Sequence, residues 1–599
     1  MLRTHTSFER TSQAPTVAAS NSSTMENEKD NRAQTSDSDG VTETIPSLAA
    51  PPLAPAPTEA EKVIDLSHQI TARSQNSNAL REVQTREDGT EYPSGVKLAL
   101  ITLALCLSVF LVALDNSIIA TAIPKISDSF HSLGDVGWYG SAYLLTTAAL
   151  QLIFGKFYTF WDIKTVYLTA IAIFELGSLI CGVAQNSVTL IVGRAVAGAG
   201  SAGIFSGALL ILAHSVPLAK RPAYSGLIGG MYGIASVAGP LLGGVFTDKA
   251  TWRWCFFINL PIGAVTVLVI FFFFPSPKLT KPKDEVLFER VKRFDPMGTV
   301  VFMPAIICLL LALQWGGTTY AWNNGRIIAL FVVFGVLILA FLYIQYNQQE
   351  NATVPPRIIA NRSVWAGSLY AFGTGSAFFI MVYYIPIWFQ AVQGASAVDS
   401  GIRNLPMLIS VVVCSIFAGG MVTALGQYAP FMIAGTILMS VGAGLLTMWN
   451  PNTSTGVWIG YQIVFGAGVG LGMQQPIMAV QTALDITDVP TGTAIVVFLQ
   501  TLGGALFVSV GQSVFTNKLV ESLAENLPSL NPAAVLAAGA TNLQNTVSAD
   551  MLPLVQASYS TALTTSFFVS VGLAAFTIIG STLIPWKSVK GQNLEMGMA

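Results

Sequence analysis

From Leu98 to Trp586 the chain reads as a succession of apolar runs, each about 20 residues long and almost free of charge, joined by short polar connections. At 1.5 Å of rise per residue, roughly 20 helical residues cross the hydrocarbon of a bilayer, so each run predicts a spanning helix. Fourteen are expected, at 98–120, 138–158, 165–184, 188–213, 223–246, 254–275, 297–315, 327–346, 365–390, 401–425, 430–449, 456–480, 489–512 and 562–585. The pattern implies an all-α integral membrane protein. An even number of crossings brings both ends to one face. The loops on that face hold twelve Lys and Arg, against six on the other, which favours cytoplasmic termini.

Composition sharpens this reading. The 599 residues are 52% hydrophobic and only 10% charged, against about 25% charged in an ordinary soluble domain. Residues 1–94 are a different material, rich in Ser, Thr, Asn, Pro and Ala, and too poor in apolar side chains to build a core. They are expected to be a disordered cytoplasmic tail, with regulator binding or phosphorylation as the alternative to plain solvation. No h-region followed by a small-residue cleavage site stands in this tail. Formal net charge is −2, so nothing global suggests nucleic acid.

Internal repetition gives the organisation. The string Tyr461–Gly472 lies over Gly193–Ile204 with Gly466 and Gly468 on Gly198 and Gly200, an offset of 268 residues. The string beginning at Gly419 lies over that beginning at Gly155 with Thr423 on Thr159, an offset of 264. Two nearly equal offsets imply duplicated halves, as in many secondary transporters. The expected plan is an N-terminal six-helix half at 95–275, a cytoplasmic linker at 276–296, two inserted helices at 297–346, a C-terminal six-helix half at 347–586 and a cytoplasmic tail at 587–599.

An ionisable residue near the middle of a spanning helix costs roughly 2.5–3.5 kcal/mol on insertion scales and so demands a reason. Asp115, Glu175 and Arg194 stand out, all in the first half, whereas the position matching Arg194 in the second half is Gln462. An opposite charge favours an ionised carboxylate and burial favours the neutral one, so a carboxylate held between the two can exchange a proton. The alternative is structural: Arg194 tying its helix to backbone carbonyls, Asp115 capping, and Glu175 near an interface. The five cysteines show no paired spacing and the four histidines avoid mid-span positions, so neither a disulfide scaffold, a metal site, a cofactor nor a hydrolytic cluster is expected.

These residues carry a family resemblance. The string Leu114–Ile126 (LDNSIIATAIPKI) resembles the first-span motif of the fourteen-spanner drug:proton antiporters of the major facilitator superfamily, and Gly193–Gly203 resembles the superfamily's fourth-span motif of an Arg followed by spaced glycines. The run Gly226–Gly244 is similar to the fifth-span antiporter motif, fitting at Gly226, Gly239, Pro240, Gly243 and Gly244 with Ala235 where a glycine is usual. Trp252–Gly263, Gln393–Pro406 and Asp488–Val510 resemble the fungal toxin and multidrug exporters of this family. One departure falls between spans 2 and 3, where Thr159 occupies the place of an acidic residue and Asp162 comes three residues late. That puts a gating salt bridge at this loop in doubt.

The resemblance implies the major facilitator fold and alternating access, with Asp115, Arg194 and Glu175 as the proton-coupling set. Small residues at Gly226/Gly230 and Gly239/Gly243 allow close helix approach and Pro240 bends the span; in the resembled family this helix packs against the other half. Substrate-cavity candidates are Tyr143, Gln151, Phe378, Phe379, Tyr383, Gln462, Gln474, Gln475, Phe498 and Gln500, with Trp365 and Trp388 assigned to the aromatic belt. The expected function is proton-coupled export of small, largely apolar organic molecules by a monomer in the plasma membrane. Import of a nutrient or siderophore on the same fold, and a vacuolar location, are the alternatives.

Overall fold

A computed structural model describes residues 92–590 apart from 133–134, 277–293, 318–319, 529, 531, 533–534, 537–542 and 544–546. The tail at 1–91, most of the linker at 276–296 and the last residues of the C-terminal tail therefore lie outside the described residues. Fourteen long helices follow one another: α1 Gly95–Phe130, α2 Val136–Phe160, α3 Ile163–Val183, α4 Ser187–Ser215, α5 Arg221–Lys249, α6 Asn259–Phe273, α7 Pro296–Trp315, α8 Gly325–Gln348, α9 Arg362–Gln393, α10 Leu405–Leu425, α11 Ala429–Leu446, α12 Thr455–Gly472, α13 Val489–Asn526 and α14 Leu552–Leu583. Short turns precede α6 (Trp254–Phe257) and α10 (Ala397–Arg403), and Gln475–Ala483 continues α12 beyond a break at Met473 and Gln474.

Thirteen of the described helices are long and apolar enough to cross a membrane. The exception among the fourteen is α2, in which Thr146, Thr147, Gln151 and Lys156 dilute the apolar run. Its polar groups face inward: Gln151 and Lys156 are buried. Helix ends follow local chemistry. The side chains of Asp162, Asn186, Asn324 and Asn361 accept from backbone N–H groups in the first turns of α3, α4, α8 and α9. Gly394 (φ 64°) and Gly426 (φ 83°) close α9 and α10 in the left-handed region that glycine tolerates best.

The packing repeats. In the first half α1 lies against α5 and α6, α2 against α4, and α3 against α4 and α6; in the second, α9 lies against α13 and α14, α10 against α12, and α11 against α12 and α14. The two sequence offsets have matching contacts. A Cβ at Gly198 meets α2 at Tyr143 and one at Gly200 meets α3 at Phe174, while Gly466 meets α10 at Met407 and Gly468 meets α11 at Met439. Without a hydrophobic drive between helices in lipid, such close backbone approach supplies much of the association.

The halves meet crosswise, α5 on α10 and α13 on α2. Near the face where α1 begins, Gly155 at the end of α2 abuts Ala494 and Pro490 of α13, and the Thr159 and Thr491 hydroxyls lie 3.3 Å apart. At the equivalent place Gly419 abuts Pro222, and the Ala223 N–H donates to the Thr423 hydroxyl at 3.2 Å. Thr159 thus makes a neutral contact where the resembled motif carries an acid, and Asp162 caps α3 instead.

The inserted pair α7 and α8 packs on α2 and α13 through α7. Fully buried Asp295 accepts from the Gly298 N–H (2.7 Å), from Gln345 Nε2 on α8 (2.6 Å) and from the Thr353 N–H (3.0 Å), fastening the pair to the segment before α9. Only 11% of the apolar window of α8 is buried, against 78% of that of α4, so α8 is a peripheral helix and α4 a central one.

Candidate functional site

Because Gly198 and Gly200 admit α2 and α3 so closely, the guanidinium of Arg194 on α4 is sealed from solvent. Its Nη1 lies 2.5 Å from Asp115 Oδ2 on α1, its Nε donates to the Tyr139 carbonyl at 2.7 Å, and its plane stacks 4.4 Å from the centre of the Tyr143 ring. Arg194 and Asp115 are both 0% exposed. The second carboxylate oxygen of Asp115 accepts from Asn259 Nδ2 at 3.1 Å, and that amide also donates to Ser178 Oγ at 3.1 Å. A buried ion pair contributes little net stability, yet removing one partner costs about 3–5 kcal/mol, because the other charge is left uncompensated.

Asn259 is the residue that motif reading passed over. It stands within the conspicuous string Trp252–Gly263, but at the junction of a short turn and α6, where position alone does not show which way an amide points.

Glu175 sits apart from the ion pair but beside the same track. Its two carboxylate oxygens are buried without a hydrogen-bond partner, and Oε1 lies over Gly263, one turn along α6 from Asn259. Ser178, one turn along α3 from Glu175, completes a line of polar groups running from Arg194 through Asp115, Asn259 and Ser178 toward Glu175.

The glycines of α5 divide between two partners. Gly226, Gly230 and Gly233 face Ser415, Val412 and Leu408 of α10 in the other half, and Gly244 faces Val398. Gly239 and Gly243 face Ser117, Ile118 and Thr121 of α1 in their own half. The Ser117 hydroxyl donates to the Ala235 carbonyl at 3.0 Å, two residues beyond Asp115 on α1. One helix thus touches both the ion-pair segment and the opposite half.

A central cavity of about 70 Å³ lies between the halves. Of the candidate residues, Tyr143, Gln151, Phe379, Gln474 and Gln500 line it, together with Asn116, Thr147, Ser201, Tyr232 and Thr501. The other five lie elsewhere, which corrects the expected lining. Tyr383 is 52% exposed and is not among the residues lining this cavity. Phe378 packs within the second half's core, Phe498 stacks edge-on against Phe302 of α7, and Gln475 donates back to the Leu471 carbonyl. Gln462 donates to the Arg403 carbonyl at 3.0 Å, the counterpart of the Arg194 to Tyr139 contact with the charge removed. Trp388 is fully buried and donates to Ser560 rather than marking a membrane interface.

Two like-oriented six-helix bundles that meet crosswise around a central cavity, with a buried ion pair in one of them, define a secondary transporter. Residues 105–508 match the Major Facilitator Superfamily, and the chain belongs to it. Among similar curated proteins, the MFS-type efflux pump MFS1 of Trichophyton rubrum is 60% identical over 87% of this chain and 97% of its own. The aspyridones efflux protein of Neocamarosporium betae is 52% identical over 90% and 95%, and the efflux pump aflT of Aspergillus parasiticus is 51% identical over 84% and 98%. Among solved structures, the human organic anion transporter MFSD10 superposes with a TM-score of 0.51 over 80% of this chain and 100% of its own; at 14% identity that likeness concerns the fold alone. The chain is an efflux transporter.

Proposed function

We propose that the chain exports small, largely apolar organic molecules in exchange for protons, working as a monomer in the plasma membrane with both termini in the cytoplasm. The observation that carries the coupling is the fully buried Arg194–Asp115 pair. When Asp115 takes a proton it loses its hold on Arg194, and the change falls on the α1 segment whose Ser117 is seated against α5 at Ala235 and Gly239. Because α5 also presents Gly226 and Gly230 to α10, a shift of α1 reaches the interface between the halves without a separate relay. Glu175 is the second proton stop: it lies one turn along α3 from Ser178, which Asn259 joins to Asp115, and its own carboxylate oxygens are buried without a partner.

The energetics suffice. One proton entering down about 100 mV supplies roughly 2.3 kcal/mol, and one pH unit adds about 1.4 kcal/mol. Together they sustain a gradient of neutral substrate of roughly five hundredfold. The efflux relatives, one of them named for aspyridones, support the outward direction and a small organic substrate. The twelve-to-six excess of Lys and Arg supports the orientation. Metabolite and sensitivity profiling of a deletion strain identifies the compound. Adding that compound to one side of vesicles holding the purified protein then drives counter-movement of protons, read with a trapped pH dye; substrate movement without any proton movement refutes the coupling.

A further inference from the structure

The polar groups around the central cavity are mostly occupied. Thr147 donates to the Tyr143 and Gly198 carbonyls, the Tyr143 hydroxyl donates to the Val112 carbonyl, and Gln474 accepts from Ser225. Two amides are not. Gln151 on α2 is 1% exposed and Gln500 on α13 is 6% exposed, and the side-chain nitrogen of each is buried without a partner. They come from opposite halves, on the two helices that meet at Gly155 and Ala494, and Gln151 stands one turn from that contact. A buried amide without a partner is unfavourable, so a ligand that satisfies both relieves this in each half at once.

The lining has a second property. It contains no Asp, Glu, Lys or Arg, and Asp115, beside Asn116 in the chain, is turned away to Arg194 and Asn259. A permanent cation entering this space finds no counter-ion to offset the loss of its hydration, whereas a neutral molecule gives up only hydrogen bonds that the amides replace. Val112, Phe205, Phe379, Met473 and Val497 supply the apolar walls. At about 70 Å³ the cavity is far smaller than the roughly 300–1,000 Å³ of an organic ligand site, so the halves must part before a substrate is seated.

We infer that Gln151 and Gln500 form a two-sided amide clamp whose substrates are neutral molecules bearing hydrogen-bonding carbonyl or hydroxyl oxygens on an apolar frame, and that the site rejects permanent cations. This rests on the export reading of the cavity but not on proton coupling. The test uses the purified full-length protein in detergent at one pH, with 1,8-dihydroxyanthraquinone as the neutral probe and tetraphenylphosphonium as the cation, binding being read by quenching of intrinsic fluorescence. The wild type binds the anthraquinone saturably and does not bind the phosphonium over the same concentrations. Gln151→Leu and Gln500→Leu each weaken anthraquinone binding about five- to tenfold. Gln500→Glu gains saturable phosphonium binding, a readout that only folded protein gives. Phosphonium binding by the wild type as tight as that of the anthraquinone, no anthraquinone binding by the wild type, unchanged binding in both Leu variants, or no gain in Gln500→Glu overturns the inference. No gradient is imposed, so a failure of proton coupling leaves this result standing, and a failure here leaves the coupling intact.

Discussion

Replacing Gly226 by Ala puts a methyl group 2.6 Å from the Ser415 carbonyl oxygen, in the interface between α5 and α10. That oxygen belongs to the backbone of the other half, so only a movement of one half relative to the other relieves the clash. Overpacking of this kind costs about 1–3 kcal/mol. Because the contact exists only while the halves are closed at this end, the cost falls on the closed conformation and shifts the conformational equilibrium by roughly five- to 150-fold toward the open one. Its neighbours grade the effect. Gly230→Ala places its methyl 3.3 Å from the Val412 side chain, which yields, and Gly244→Ala makes an ordinary 3.4 Å contact with Val398. Gly239→Ala instead meets Ser117 and the Ile118 backbone of α1, inside one half, so it lowers the thermal stability of that half. A cysteine introduced at Thr491, beside Thr159 at the closed end, reports opening by its rate of maleimide labelling. The labelling rate is expected to rise most in the Gly226→Ala background, slightly with Gly230→Ala, and not with Gly244→Ala. Equal rates in the Gly226 and Gly244 variants refute the placement of the closed interface on α5 and α10.

Two further outcomes follow from the polar track. Asn259→Ala removes the donor to Asp115 Oδ1 and is expected to lower the transport rate about tenfold at unchanged abundance, a buried charge-assisted hydrogen bond being worth about 1.5–3 kcal/mol; a transport rate equal to wild type in vesicles removes Asn259 from the site. Gly263→Ala drives its methyl into the Glu175 carboxyl and is expected to destabilise by about 1–3 kcal/mol, and Glu175→Ala in the same chain restores the melting temperature; a double variant no more stable than Gly263→Ala alone shows that the two residues do not meet.

The helices were legible because a spanning segment must be long and apolar, and the packing was legible where it depends on glycine. The offsets of 268 and 264 residues implied duplicated halves, and Gly198, Gly200, Gly155 and Thr159 meet neighbours at positions equivalent to those that Gly466, Gly468, Gly419 and Thr423 meet. The ion pair was legible as well, since Asp115 and Arg194 are costly enough in lipid to imply each other. Facing was not. Tyr383 follows Phe379 by one turn of α9, yet Phe379 lines the cavity and Tyr383 is exposed, because the helix is apolar all round and its composition does not mark an inner side. The same ambiguity hid the division of the α5 glycines, which are chemically identical whether they meet α10 or α1. Asn259 escaped because one amide at a helix start has no periodicity to betray its direction.

The central claim is that Asp115 carries the proton. Asp115→Asn alone leaves Arg194 charged and buried, at a cost of about 3–5 kcal/mol, so the decisive variant is Asp115→Asn with Arg194→Gln, which copies the neutral contact that Gln462 makes in the second half. In sealed vesicles with an imposed pH gradient, at matched abundance, this double variant is expected to bind substrate and exchange it down its gradient, while losing uphill accumulation and all response to the gradient. If the double variant still concentrates substrate and still responds to pH, the proton is carried elsewhere and the Asp115 account is contradicted.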